Sequence, residues 1–301
     1  MKKIVLIYLA ILGGFFVLLF SLDSKGEFTV EKKLWSINKE YHKIVQDPNV
    51  VPDQMFKSVV DAYEALIKAY PKSALVENVH FMVADLYVLK KDYAKAREKY
   101  DLMIQIYSDN RELIADIRAK IGKTYEAADD WDQAEKIYKQ ATQDFPETAV
   151  GLGLPMYIAN YYKVKKDYQG MVNAYNEAVA YYKELVAKNA STRLGFDAAR
   201  SLANCYMELG QWQAAVNTLK GVLFDYSDAS YLTPQRADNI LKAINIICAY
   251  QMNNYDIAID IYKEFIAAHP DHGLNAYLER MIADFNKLKE KGIVVAPYKE
   301  K

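Results

Sequence analysis

The side chains able to do chemistry are few, and their spacing argues against a reaction. His269-Pro270-Asp271-His272 places two histidines three residues apart. A metal site needs three or four donors, and Pro270 interrupts any helix that would align this pair. No Cys or third His lies near it in sequence, so the segment reads as a polar turn. Gly151-Leu152-Gly153-Leu154-Pro155 brings two glycines close together, but no strand precedes them. A loop is expected there rather than a phosphate cradle. Cys205 and Cys248 are the only cysteines, too few for a disulfide framework. They occupy equivalent helix positions, one residue before Tyr206 and Ala249, and read as small buried thiols, with pairing between them left open. Asn189-Ala190-Ser191 fits a glycosylation sequon, which carries weight only in a eukaryotic secretory setting. Walker A, HExxH, GxSxG and CxxC patterns are missing from the sequence. No catalytic, cofactor-binding or metal-ligating residue is assigned, and neither an enzyme nor a small-molecule substrate is expected.

The elements that would hold these residues repeat. Ile121-Gly122-x-x-Tyr125 is followed by Trp131, Ala134, Tyr138, Ala141 and Pro146. Leu202-Ala203-x-x-Tyr206 is followed by Gly210, Trp212, Ala215 and Leu219. Val83-Ala84-x-x-Tyr87 and Ile158-Ala159-x-x-Tyr162 open two more copies, and Tyr255, Ala258, Tyr262 and Phe265 mark another. The small residues Ala84, Gly122, Ala159 and Ala203 are spaced 122 − 84 = 38, 159 − 122 = 37 and 203 − 159 = 44 residues apart. That period means helix pairs stacked into a solenoid, because one pair cannot bury its own apolar face. Small residues mark backbone contacts between helices, and the tyrosines fill the space beside them. The pairs begin with 28–46 and 54–70, joined by a turn carrying Pro48 and Pro52, which no helix interior tolerates. The second helix of the fourth pair runs on through Lys188. An amphipathic helix over 274–291 would cap the end, and 292–301 reads as a disordered tail.

Composition sets further bounds. The chain has 301 residues, is 52% hydrophobic and carries a net charge of −1. Without a basic face, no nucleic acid partner is expected. Lys2 and Lys3 precede an uncharged run from Ile4 to Leu22, 22 − 4 + 1 = 19 residues, of which 14 are Leu, Ile, Val or Phe. As a helix the run would span about 28 Å, close to the ~30 Å hydrocarbon core. A membrane anchor is expected over residues 4–22, with the N-terminus in the cytoplasm and the rest outside it. The alternative is a cleaved signal peptide that releases a secreted domain, although the run exceeds the usual apolar region. The expected layout is a signal anchor over 1–26, helical repeats over 27–291 and a tail over 292–301.

These residues resemble the tetratricopeptide repeat, whose pattern is W-x₂-L-G-x₂-Y…A-x₃-F…P. The resemblance covers about 53–270. It implies an all-α, right-handed α-solenoid of about six helix pairs plus a capping helix, preceded here by one transmembrane helix. The repeats exceed the family's usual 34 residues. Tyr63-x-x-Leu66-Ile67-x-x-Tyr70-Pro71 and Tyr93-x-x-Ala96…Tyr100…Ile104-x-x-Tyr107-Ser108 look like the long-repeat bacterial envelope branch, though no lipid-attachment Cys follows the apolar run. The resemblance further implies a concave groove lined by the first helices, where a protein or peptide would bind. Mapped here, the groove carries Phe81, Asp85, Lys123, Glu126, Met156, Asn160, Lys163, Arg200, Asn204, Met207 and Tyr250. Asn160 and Asn204 stand where family members bond a peptide backbone, and Arg200 could pair with a carboxylate. Ser201 and Ile244 replace further asparagines of a carboxylate clamp. The expected function is a membrane-tethered extracytoplasmic, periplasmic scaffold for envelope assembly, secretion or polymer export. A soluble helper of an enzyme complex and a self-assembling solenoid are the alternatives. After the sixth pair about 30 residues remain, too few for a catalytic domain.

Overall fold

The computed structural model describes residues 26–291. The expected anchor and tail fall outside that range. Among the described residues no helix is long and apolar enough to cross a membrane, and none lies in a strand.

Two compact units divide the chain between Val150 and Gly151. The first holds α1 (Glu27–Gln46), α2 (Asp53–Ala69), α3 (Leu75–Leu89), α4 (Tyr93–Ile106), α5 (Arg111–Glu126) and α6 (Trp131–Asp144). Each helix packs on the next, and α1 also reaches α3. The second unit holds α7 (Ala149–Lys165), whose first turn straddles the division, then α8 (Tyr168–Lys188), α9 (Arg193–Glu208) and α10 (Trp212–Asp225). It continues with α11 (Pro234–Ile246), a π-helical turn (Ile247–Gln251), α12 (Tyr255–Ala268) and α13 (Asn275–Glu290). The capping helix α13 packs on α12 through Leu278 and through Phe285, whose ring centroid lies 5.3 Å from that of Tyr255.

One turn design closes four of the pairs. Lys91, Asp129, Lys166 and Gly210 all take left-handed backbone, with φ of 59°, 59°, 60° and 67°. Their N–H groups donate to the carbonyls of Val88, Glu126, Lys163 and Met207. The next residue, Asp92, Asp130, Asp167 or Gln211, donates to the carbonyl of Tyr87, Tyr125, Tyr162 or Tyr206. This is the Schellman arrangement, and it uses the backbone of the signature tyrosine. The same three aspartates then cap the following helix, accepting from the N–H of Lys95, Gln133 and Gly170. A residue that ends one helix is thus followed at once by the one that starts its partner, which forces an antiparallel hairpin.

The small residues sit where the repeat pattern puts them. Ala84, Ala96, Ala134, Ala159, Ala203, Ala215 and Ala258 are fully buried. Tyr63, Tyr100, Tyr138, Tyr175 and Tyr262 on the second helices are the large buried side chains beside them.

Two expectations need correction. Gly151–Pro155 is not a loop: it lies in the first turns of α7, with Pro155 inside the helix. Pro155 has no N–H to pair with the Gly151 carbonyl. The next carbonyl, Leu152, accepts the Tyr182 hydroxyl at 2.6 Å. The two cysteines are also not strictly equivalent. The π turn inserts a residue, so Asn254 donates to the carbonyl of Cys248 where Gln211 donates to that of Tyr206. Both thiols are buried and free, and burial pushes each up to about 12.

Candidate functional site

The first helices carry the polar stripe, and buried tyrosines of the second helices hold it. In the first unit the Tyr63 hydroxyl donates to Asn38 Oδ1 at 2.7 Å, Tyr100 to Asp85 Oδ1 at 3.2 Å and Tyr138 to Glu126 Oε2 at 3.1 Å. In the second, Tyr175 donates to Asn160 Oδ1 at 2.9 Å and Tyr262 to Asn245 Oδ1 at 2.5 Å. The carboxylates can only accept here, so the hydroxyls donate. The same direction at the asparagines leaves each amide nitrogen as a donor. Burial raises the pKa of Tyr63, Tyr100, Tyr175 and Tyr262, and the Asp85 charge contributes at Tyr100.

The expected groove residues separate by unit. Phe81 and Asp85 lie half-buried on α3. From α5, Lys120 sets its ammonium 5.3 Å from the Phe81 ring centroid. Burial holds the Asp85 carboxyl above its ordinary range; Lys120 and the Tyr100 hydroxyl pull it back, and Asp116 raises it further. Lys123 is exposed, and Glu126, one turn on, is the residue Tyr138 reaches. The acceptor in this repeat is therefore displaced by three residues from the place Asp85 holds in the previous one.

In the second unit, Asn160 and Asn204 are exposed and Met156 and Met207 half-buried. Lys163 bridges α7 to α9 by pairing with Glu208 at 2.6 Å. Arg200 lies 3.5 Å from Asp197, with its guanidinium 5.6 Å from the Phe196 ring centroid. It is held in place and partly engaged rather than free. Tyr250 lies in the π turn and is 37% exposed.

Sequence reasoning passed over Asn38, Asn245, Lys120 and Glu208. Asn38 and Asn245 carry the same signal as Asn160, a polar residue facing a second-helix tyrosine. Asn245 was hidden because the π turn shifts the register. His269 and His272 pack their rings on Phe265, at 4.7 and 5.1 Å between centroids. Among the described residues no group of three or more His, Cys, Asp or Glu is placed to hold a metal.

Comparison with known proteins agrees with the repeat reading. One tetratricopeptide repeat model matches residues 172–233, and a second matches 120–148 and 247–272. The chain is 22% identical over 269 residues to tetratricopeptide repeat protein 21B of Xenopus laevis. The match covers 80% of this chain and 19% of that protein, so the chain spans about a fifth of that relative's length. Two solved structures align at 13% identity. BtubC (BKLC) from P. vanneervenii gives a TM-score of 0.37, with 91% of this chain and 95% of that one covered. The TPR2AB domain of yeast Sti1 in complex with pHSP90 gives 0.32, with 87% and 100% covered. Global similarity to both is low.

Proposed function

We propose that this chain is a membrane-tethered scaffold that holds protein or peptide partners outside the cytoplasm. The carrying observation is the exposed Asn160, whose oxygen takes the Tyr175 hydroxyl and whose amide nitrogen remains a donor. A side chain pinned from within the core loses little rotamer freedom when it bonds a partner. Asn204, Met207 and Arg200 on α9 offer a second donor, a pliable apolar contact and a cation. Such a surface suits the carbonyls and acidic groups of a peptide segment better than a small molecule, which asks for an enclosed apolar pocket. Tetratricopeptide repeats at 120–148, 172–233 and 247–272 support the protein-binding class.

The tether rests on the 19-residue uncharged run after Lys2 and Lys3, and envelope assembly, secretion or polymer export on the long repeat alone. Replacing Arg200 and Asn204 together by Ala should weaken partner capture about tenfold, roughly 1.4 kcal/mol, with the melting temperature held. Retained capture would move the site off the first helices. Release of the chain by alkaline carbonate, or a mature N-terminus near Glu27, would replace the tether by a cleaved leader.

A further inference from the structure

The outward side of α1 presents a surface that the peptide-binding reading does not use. The helix turns Val30, Leu34, Ile37, Tyr41 and Ile44 into the core. On the opposite side, Phe28, Lys32, Trp35 and Lys39 follow at i, i+4, i+7 and i+11, one stripe along the helix. Phe28 is 65% and Trp35 62% exposed. The Lys39 ammonium lies 3.5 Å from the Trp35 ring centroid. Glu31 borders the stripe.

We propose that this stripe lies on a lipid bilayer surface, its aromatic rings at headgroup level and its lysines against lipid phosphates. The inference rests on the tether reading and extends it. Trp and Phe with flanking Lys on one helix face is the composition that settles in the membrane interface. The distances fit. Five residues separate the end of the apolar run at Leu22 from Phe28. Six links reach at most about 20 Å, and the stripe itself covers about 16 Å. A chain anchored through residues 4–22 therefore cannot carry Phe28 far from the bilayer.

The test uses the full chain floated with vesicles of phosphatidylcholine and phosphatidylglycerol. The indole signal of Trp35 is taken as the difference between the native chain and Trp35→Phe, which leaves Trp131 and Trp212 untouched. The proposal expects that signal to be quenched by lipids brominated near the headgroup and shielded from aqueous iodide. It also expects Lys32→Glu with Lys39→Glu to reverse both effects. A floating chain whose Trp35 stays open to iodide overturns the proposal and leaves the tether standing. Shielding from iodide without bromine quenching means a protein surface covers the stripe, and overturns it too. A chain that does not float with the vesicles overturns both the stripe and the tether.

Discussion

A Cβ built on Gly122 would lie within 3.0 Å of three carbons of the Tyr138 ring. The two residues belong to α5 and α6, and their contact sets how closely that pair approaches. The same ring donates its hydroxyl to Glu126. Gly122→Ala should therefore displace the ring and disturb that bond. We expect a loss of about 1–3 kcal/mol in urea unfolding. An unchanged midpoint would remove Gly122 from the helix contact and undo the repeat register.

The tyrosine-to-stripe bonds should be measurable as couplings. Tyr175→Phe removes the donor to Asn160 and should cost about 0.5–1.5 kcal/mol. Paired with Asn160→Ala in a double-mutant cycle, it should show most of that as interaction energy. Strict additivity would mean that the bond does not hold the side chain.

Asp85 differs from Asn38, Asn160 and Asn245 in bringing a charge to the same bond. Burial raises its folded pKa. An acid raised on folding contributes stability below the ordinary carboxylate value, and loses it as pH climbs through the raised folded value. Asp85→Asn keeps the acceptor for Tyr100 and removes the charge. It should stabilise the fold at pH 7 by on the order of a few tenths of a kcal/mol, reduced by solvent screening, and raise the melting temperature accordingly. The gain should vanish below pH 3.8, the ordinary value for this carboxyl. A gain independent of pH would contradict the assignment.

The left-handed turns predict a gain as well. Lys166 holds φ at 60°, where an L side chain costs about 1–2 kcal/mol. Lys166→Gly relieves that at some cost in unfolded-state entropy, and should stabilise by about 0.5–1 kcal/mol. Gly210→Ala, at φ 67°, should destabilise. Thermal melts of both variants check the pair.

The fold was largely legible because its determinants are local. Ala84, Gly122, Ala159 and Ala203 mark helix contacts by size alone, and all four are buried. Asp92, Asp130 and Asp167 mark helix starts. Two features escaped the sequence reading. Pro155 reads as a helix breaker, yet it lies inside α7, where Tyr182, 30 residues away, donates to the neighbouring Leu152 carbonyl. The π turn at 247–251 leaves no mark in composition, and it moved both Asn245 and Cys248 out of register. At the candidate site, exposed positions such as Lys123 and Asn204 follow from helix periodicity. The partners of Asp85 and Glu126 do not, because they are set by packing between helices.

The account stands on partners docking along the first helices, and site-specific photo-crosslinking tests that most directly. A benzophenone side chain placed at Lys123 or Asn204, both exposed on first helices, should capture the natural partner in cells. One placed at Glu98 or Asn217, exposed on second helices, should not. Adducts from the second-helix positions with none from Lys123 or Asn204 would contradict the assignment and put the binding face on the other side of the repeats.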